Sequence, residues 1–361
     1  MLKLLFICKD RSSYDYGGYQ DLDGIDKRKG SYGLINSCKL VDKAISKENE
    51  IECKVITVLD SNAIDREVHL YRPTHVFIEA LWVTPAKFLE LLPLHPSVKW
   101  AIRIHSKTPF LSNEGIAFSW INEYIEISKK FDNFWVSGND EEFTLDMNQA
   151  YGDYFKYLPN LYPVDLKFHF HQHNDHNHVN VGCFGAIRPM KNQMEQAVAA
   201  VLFANELGKK LKFHMNGRVE QRGDNVLRNI EAFLIGAGHE LVLHGWHTHE
   251  DFLELVKTMD LGMQVSFSES FNIVAADFVS QDIPIIGSED IAWLNPMFMS
   301  STTNASDIKN KMKKAYQWRN INLQYLNKLS LHRYNELAQD AWNSYLGISR
   351  LHAIKHNHRH R

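Results

Sequence analysis

The stretch from Val265 to Gly287 constrains the fold most strongly, because it predicts a strand, a loop, a helix and a second strand in immediate succession. The first strand is apolar and gives way to polar residues at Ser266. Residues 273–280 form the predicted helix, and Ile283 to Gly287 is a short β-rich run that closes the stretch. A helix that joins two strands in this order is typical of an α/β protein with a parallel sheet.

Two acids stand at the helix of this stretch. Glu269 lies in the loop before the helix, and Asp277 lies within it. A loop that leads into a helix presents unpaired N–H groups and the positive end of the helix dipole, which suit a phosphate. The two acids could then bind different hydroxyl groups of one ligand, such as a sugar and a ribose. The alternative is a buried strand and an amphipathic helix whose acids are solvated.

The bulk properties favour a two-domain protein without a global affinity for polyanions. A chain of 361 residues with 44% hydrophobic residues can form two sizeable cores, and its net charge of −3 gives no overall attraction to nucleic acid or acidic membranes. The four cysteines are scattered without a CxxC pair, which predicts reduced thiols in a cytoplasmic protein. The apolar start is too short for a signal peptide, and no run approaches a membrane span.

The first half predicts a Rossmann-like domain. A strand over residues 3–8 precedes a polar, glycine-rich loop, and Gly30-Ser31-Tyr32-Gly33 then opens a helix. This loop lacks the GxGxxG pattern, so it is either a ligand-facing loop or a plain glycine hinge. His105 ends a later predicted strand and so lies at the carboxyl edge, where ligands of α/β sheets bind. Glu79 and Arg103 face the same edge and could simply pair with each other.

The second half repeats this logic. A strand over residues 179–184 is followed by a loop with Arg188 and Lys191, which opens a helix. The positive end of a helix disfavours cations, so their presence there slightly favours a ligand role over a solvated surface. Arginine binds phosphate oxygens as a fork and lysine as a point charge. Gly217 and Gly245 each follow a later predicted strand.

The Val265–Gly287 stretch resembles the Glu-x7-Glu motif of retaining glycosyltransferases with the GT-B fold, of the family-4 (group 1) type. The resemblance is carried by Ser268-Glu269-Ser270-Phe271-Asn272, by Asp277 and by Asp282-Ile283-Pro284. Three positions depart from the motif: Asn272 replaces glycine, Asp277 replaces the second glutamate, and Asp282 stands where glycine is common. Asparagine tolerates a positive φ better than most residues, so the loop can keep its shape.

The resemblance implies two facing Rossmann-like domains with a cleft between them. Residues 1–165 would form the acceptor-side domain, joined by C-terminal helices over about 329–361 that cross back to it, and residues 166–328 would bind a nucleotide sugar. The implied reaction is transfer of a hexose or pentose with retention, without metal, cofactor or protein nucleophile. Fixed cations would stabilise the departing nucleoside diphosphate. The implied site residues are Arg188 and Lys191 for the diphosphate, Glu269 for the sugar, Asp277 for the ribose, Gly217 and Gly245 near the base, Phe271, Asn272 and Ile273 at the helix start, His105 at the reacting centre, and Gly30, Ser31, Tyr32 and Gly33 on the acceptor side.

Several alternatives stay open from the sequence. The acceptor could be a glycan or hydroxymethylated phage DNA, since the basic clusters 27–29 and 129–130 could line a duplex groove. The chain could instead be a nucleotide-sugar epimerase or phosphorylase, or a non-catalytic sugar-nucleotide binding protein. A DxD match at Asp21 and Asp23 is attributed to chance. The five histidines within 169–178 predict a solvated hinge more than a metal site. The oligomeric state is left open.

Overall fold

The structure is a computed structural model that describes residues 1–10, 33–48, 51–169, 177–217, 219–220, 222–245 and 247–348. These residues form two compact α/β units. Unit 1 contains the described residues up to 163 and those from 335 onward, and unit 2 contains the described residues between 164 and 334. Within the described ranges, no helix combines the length and the apolar character that a membrane crossing needs.

Unit 1 is built on a parallel six-stranded sheet with the strand order β2-β1-β3-β4-β5-β6. Its strands are β1 (Leu2–Lys9), β2 (Ile51–Val58), β3 (His75–Glu79), β4 (Lys99–Ile104), β5 (Phe134–Gly138) and β6 (Phe155–Tyr157). Its helices are α1 (Gly33–Glu48), α2 (Ala63–Tyr71), α3 (Pro85–Leu94), α4 (Thr108–Leu111), α5 (Ala117–Ser128) and α6 (Glu141–Tyr151). Helices cover both faces of a parallel sheet, which explains the uninterrupted apolar run of β1.

Unit 2 is built on a parallel five-stranded sheet with the order β11-β10-β7-β8-β9. Its strands are β7 (His178–Gly182), β8 (Lys210–Asn216), β9 (Glu240–His244), β10 (Leu261–Gln264) and β11 (Ile285–Gly287). Its helices are α7 (Gln193–Glu206), α8 (Gly223–Gly236), α9 (His249–Val256), α10 (Ile273–Ser280) and α11 (Ala305–Trp318). The sequence therefore predicted the strand–loop–helix–strand order of β10, α10 and β11 correctly.

The last helix, α12 (Tyr325–Leu346), begins among residues of unit 2 and ends among residues of unit 1. Its Trp342 is fully buried, with its ring centroid 5.2 Å from that of Phe77 and 5.9 Å from that of Phe6. The prediction of a C-terminal helix that returns to the first domain is thus confirmed. The helix starts at Tyr325, earlier than the predicted start near 329, because the left-handed Asn322 ends the preceding turn just before it.

Helix starts follow local side-chain signals. Thr84 accepts a hydrogen bond from the Lys87 N–H and is followed by Pro85, and Asp140 accepts one from the Phe143 N–H. The capped helix start predicted near Ser137 to Glu142 is therefore present. The helix predicted over 250–259 is shorter and ends at Val256.

Candidate functional site

The strand order of unit 2 reverses between β7 and β10, which lie side by side. Ligands of open α/β sheets bind at the carboxyl ends of strands where the order reverses in this way. The loop after β7 carries Arg188 and Lys191, and the loop after β10 carries Glu269. Three of the predicted site residues thus lie in the loops that follow the two strands flanking this point.

The Arg188 loop, residues 183–188, is held in place by hydrogen bonds. Gly185 adopts φ +110°, where side chains are strained, and its N–H donates to Asn216 Oδ1 at 2.8 Å. The buried Gln193 donates from Nε2 to the Ala186 carbonyl at 3.0 Å and accepts the Arg188 N–H at 3.5 Å. Hydrogen bonds within unit 2 therefore fix the backbone that carries Arg188.

Lys191 is tied to the end of β10 by two buried amide side chains. Asn192 donates from Nδ2 to the carbonyls of Val265 at 3.0 Å and Thr302 at 2.7 Å. Gln196 donates to the Lys191 carbonyl at 2.8 Å and accepts the Val265 N–H at 2.9 Å. These contacts explain how residues far apart in sequence reach one site.

Lys191 and Glu269 form an ion pair at this site. The ammonium donates to Glu269 Oε1, and the two side chains are 14% and 8% exposed. The Glu269 N–H donates to Asp290 Oδ2 at 3.0 Å, which fixes the loop. Because the pair has access to solvent, a ligand anion could replace the carboxylate on the ammonium.

Arg188 also lies beside an acid. Its Nη1 is 3.8 Å from Glu220 Oε2, and both side chains are 23% exposed. Each of the two predicted cations thus has a carboxylate within ion-pair range. Neither Glu220 nor Asp290 was found by sequence reasoning, because no motif spacing connects them to the loops they contact.

The start of α10 has the geometry that the glycine of the motif would have. Asn272 adopts φ +61°, so the expectation that asparagine tolerates a positive φ here is confirmed. Its Oδ1 accepts the Ala275 N–H, and its Nδ2 donates to Gln264 Oε1, both at 2.8 Å. The N–H groups of Ile273 and Val274 are the first two of the helix and have no acceptor within it.

Phe271 is buried instead of lining the site. Its side chain is 2% exposed, with ring centroids 5.8 Å from Trp293 and 5.5 Å from Tyr334. Its carbonyl accepts a hydrogen bond from Trp293 Nε1 at 2.6 Å. The Phe271 side chain therefore belongs to the core beneath the loop.

Asp277 is paired with a histidine that sequence reasoning missed. Its Oδ1 lies 2.7 Å from His249 Nε2, and Asp277 is 3% exposed. His249 is the first residue of α9, directly after the capping residue Thr248. A ligand hydroxyl that reaches Asp277 would share the carboxylate with this ring.

Gly217 and Gly245 directly follow β8 and β9, as predicted. The Gly217 N–H donates to the His244 carbonyl at 2.9 Å. His214 in β8 lies close by, with Nδ1 2.9 Å from His244 Nε2 and Nε2 3.2 Å from Asn180 Oδ1. Burial, aided by the neighbouring His244, lowers the pKa of His214 to about 4, so the ring is neutral at pH 7.

In unit 1, Glu79 and Arg103 form a fully buried pair. Arg103 Nη1 donates to both carboxylate oxygens, at 2.9 and 3.0 Å. The rest of the guanidinium donates to the carbonyls of Leu158 and Pro159 and to Asn160 Oδ1, at 3.0 to 3.3 Å. The two residues pair, as the sequence suggested, and they join β3 and β4 to the segment after β6.

His105 is held by the same carboxylate. Its Nε2 contacts Glu79 Oε2, and its Nδ1 is 3.3 Å from Asn139 Nδ2. Burial lowers the pKa of His105, although the neighbouring Glu79 opposes this shift. Burial alone would raise the pKa of Glu79, but Arg103 and His105 overcome that effect, and the pKa of Glu79 is lowered. His105 is thus a neutral ring that donates from Nε2, and its Nδ1 accepts from Asn139.

Other predicted residues lie elsewhere. Gly33 opens α1 without a positive φ and with open space around it, so nothing in its backbone requires glycine. Lys129, the residue after α5, is paired with Glu126 of that helix at 2.7 Å. Outside the described residues are Gly30, Ser31 and Tyr32, the Asp21–Asp23 match, the basic cluster 27–29 and most of the histidine-rich stretch. Among the described residues, no group of three or more His, Cys, Asp or Glu side chains could hold a metal.

No protein-family model matches the sequence, and no curated protein does. Solved structures match its fold. Sucrose-phosphate synthase from Thermosynechococcus elongatus has a TM-score of 0.67 and 11% identity, over 96% of this chain and 99% of that one. HepE from Anabaena, solved with UDP and glucose, has a TM-score of 0.64 and 12% identity, over 95% and 100%.

A TarM variant from S. aureus, solved with Fondaparinux, alpha-GlcNAc-glycerol and UDP, has a TM-score of 0.56 and 15% identity, over 76% of this chain and 55% of that one. The chain therefore spans about half the length of TarM. Identities this low establish the fold alone. The two Rossmann-like units and the returning C-terminal helix agree with that likeness, and the chain has the GT-B fold.

Proposed function

We propose that this protein transfers a sugar from a nucleotide-sugar donor to an acceptor, with retention at the anomeric carbon, and that the unit 2 site binds the donor. The observation that carries the proposal is the Lys191–Glu269 pair between the ends of β7 and β10, directly before α10. Structures of the same fold have been solved with UDP, which supports a nucleotide-sugar ligand.

The proposed roles follow from charge. The diphosphate would bind Arg188, Lys191 and the first N–H groups of α10, which contacts within unit 2 hold in position. When a phosphate takes over Lys191, the Glu269 carboxylate becomes available to the sugar hydroxyls. Positive groups fixed around a leaving group that gains negative charge lower the barrier to its departure.

Retention is proposed to arise from attack on the face that the leaving phosphate vacates, without a protein nucleophile. Asp277, shared with His249, would bind the ribose. We further propose that no metal is needed, since two cations and a helix start already oppose the diphosphate charge. Activity that survives a chelator supports this, and a trapped glycosyl-enzyme adduct would contradict the absence of a nucleophile.

We assign the acceptor side to unit 1 and propose a glycan as the acceptor class. The net charge of −3 weighs against a DNA acceptor. So does Lys129, which is already paired with Glu126. A salt-sensitive complex with hydroxymethylated duplex DNA would favour the DNA alternative instead.

The test is a thermal-shift screen with UDP, GDP, ADP and their glucose conjugates. A ligand at a hundredfold excess over its Kd adds about 2.7 kcal/mol to the stability of the folded state, which raises Tm by several degrees. Inorganic phosphate at matched ionic strength is the control. If no nucleoside diphosphate shifts Tm beyond this control, the proposed function is wrong.

Product analysis then separates the rival activities. Incubation of the donor alone should give no epimer and no sugar phosphate, and addition of a glycan acceptor should give a product whose anomeric configuration, measured by NMR, matches the donor. Binding without any turnover would favour the non-catalytic alternative. An epimerised donor would favour the epimerase.

A further inference from the structure

A short segment of unit 2 lies directly against the backbone of Arg188. Ile187 forms a parallel β-bridge with Val219, and the Glu220 N–H donates to the Ile187 carbonyl at 2.9 Å. The Gly223 N–H donates to the Glu220 carbonyl, also at 2.9 Å, and Gly223 opens α8. Residues 219–220 and 222–223 are called the support segment below.

Gly223 allows this close approach. A Cβ at this position would lie 2.0 Å from the Ile187 carbonyl oxygen, 2.6 Å from its carbon and 3.2 Å from the Arg188 nitrogen. These are backbone atoms, which cannot rotate away as the end of a flexible side chain can. Any side chain at 223 must therefore force the start of α8 and the backbone of the Arg188 loop apart.

Glu220 supplies the charge of the same segment. Its Oε2 is 3.8 Å from Arg188 Nη1, and both side chains are partly exposed. A loose, solvated ion pair is weak, so an incoming anion can compete with the carboxylate. The carboxylate would also repel a phosphate that is bound to Arg188.

We propose that the support segment is a positioning element for Arg188 in binding a nucleoside diphosphate. Gly223 sets the position of the loop backbone, and Glu220 is the counter-ion that Arg188 exchanges for a phosphate. This inference rests on the proposed function. It adds two residues outside the motif: replacing Gly223 should weaken UDP binding, and replacing Glu220 should strengthen it.

The first test measures UDP affinity by calorimetry in the wild type, Gly223→Ala and Gly236→Ala. Gly236 ends the same helix, and a Cβ there meets open space, so it is the matched control. Gly223→Ala should weaken UDP binding by about tenfold or more, because Arg188 loses a charge-assisted contact. Gly236→Ala should bind UDP like the wild type.

The same comparison in an Arg188→Met background excludes a general structural effect. There, Gly223→Ala should change UDP affinity little, because the side chain that it displaces is already absent. A further tenfold loss in that background would overturn the positioning role. Urea unfolding of each variant shows that the folded state is retained.

The second test uses Glu220→Gln, which keeps the side-chain size and does not disturb the close contact at 223. It should tighten UDP binding by about twofold to fivefold, since a competing carboxylate is removed. Unchanged or weaker UDP binding by Glu220→Gln would contradict the proposed exchange of Glu220 for a phosphate. This test does not depend on whether Gly223→Ala folds.

The outcomes separate the two levels of the proposal. A wild type that binds no nucleoside diphosphate contradicts the proposed function and this inference with it. A wild type that binds UDP, together with a folded Gly223→Ala variant of equal affinity, contradicts only the role of the support segment.

Discussion

The carboxyl edges of the two sheets both carry an acid beside a cation, yet the two pairs differ in burial and in the number of their partners. In unit 1, Glu79 and Arg103 are 0% exposed, and the guanidinium donates to four residues. In unit 2, Lys191 and Glu269 retain 14% and 8% exposure. The first pair connects three chain segments, whereas the second is mostly buried but keeps some access to solvent.

Burial and the number of fixed partners decide which pair can exchange a partner for a ligand. A buried charge with several fixed partners cannot leave them without a large desolvation cost, so the unit 1 pair is structural. A pair with some access to solvent can exchange one partner for a ligand anion at a lower cost. The presence of an acid and a cation at strand ends therefore does not identify a binding site until burial is known.

The largest expected effect is on stability, from Glu79→Gln. Removal of this charge leaves the buried Arg103 without its counter-ion, and we expect a loss of about 3–5 kcal/mol in the free energy of unfolding, measured with urea. Glu126→Gln, which removes the exposed partner of Lys129, is the control and should leave stability near the wild-type value. Equal losses in the two variants would abolish the contrast between buried and exposed pairs.

A second effect depends on pH and involves one histidine of each sheet. Burial, aided by Lys99 for His75 and by His244 for His214, lowers the pKa of each ring to about 4. The unfolded chain takes up these protons near pH 6.5, before the folded chain does, so stability should fall as the pH decreases from about 6.5 to 4. We expect a loss on the order of 2–3 kcal/mol for each ring.

Urea midpoints at pH 7.5 and pH 5 measure this effect. His75→Gln and His214→Gln should each flatten the decrease, whereas a change at the exposed His69 should leave it unaltered. If the midpoint rises on acidification, the neutral state assigned to both rings is wrong.

The smallest expected effect concerns the start of α10 in unit 2. Asn272→Ala loses the helix cap and puts alanine, which tolerates a left-handed backbone less well than asparagine, at this position, for a combined cost of about 2 kcal/mol. Asn272→Gly also loses the contact with Gln264 but fits the left-handed backbone, so it should be about 1 kcal/mol more stable than the alanine variant. An alanine variant as stable as the glycine variant would mean that φ +61° does not constrain this position.

The sequence predicted the backbone of the unit 2 site better than it predicted the contacts of the charged side chains. It identified the loops of Arg188, Lys191 and Glu269 and the positive φ of Asn272, because these depend on local order and residue type. Asp282, at the second position where glycine is common, also has a positive φ, +58°. Its buried carboxylate pairs with Lys328 of α12, a contact that no local pattern indicates.

The two acids and the histidine that contact the site residues could not be predicted either, because no local pattern indicates their contacts. Glu220, Asp290 and His249 reach the site through tertiary packing, and nothing in their own neighbourhoods distinguishes them from solvated residues. In unit 1, the sequence suggested the Glu79–Arg103 pair because both residues end adjacent strands. It could not show that Arg103 also binds the 158–160 segment, which makes the pair structural.

The central claim is that Arg188 and Lys191 of unit 2 bind the diphosphate of a nucleotide sugar. Calorimetric titration of UDP into the wild type, into Arg188→Met/Lys191→Met and into Arg228→Met/Lys257→Met tests it most directly. The last variant removes two exposed cations of the same unit and gives the same change in net charge. We expect saturable binding to the wild type and the control, and at least about a hundredfold weaker binding to the Arg188→Met/Lys191→Met variant, since two charge-assisted contacts are lost. Equal UDP affinity in all three proteins would contradict the claim.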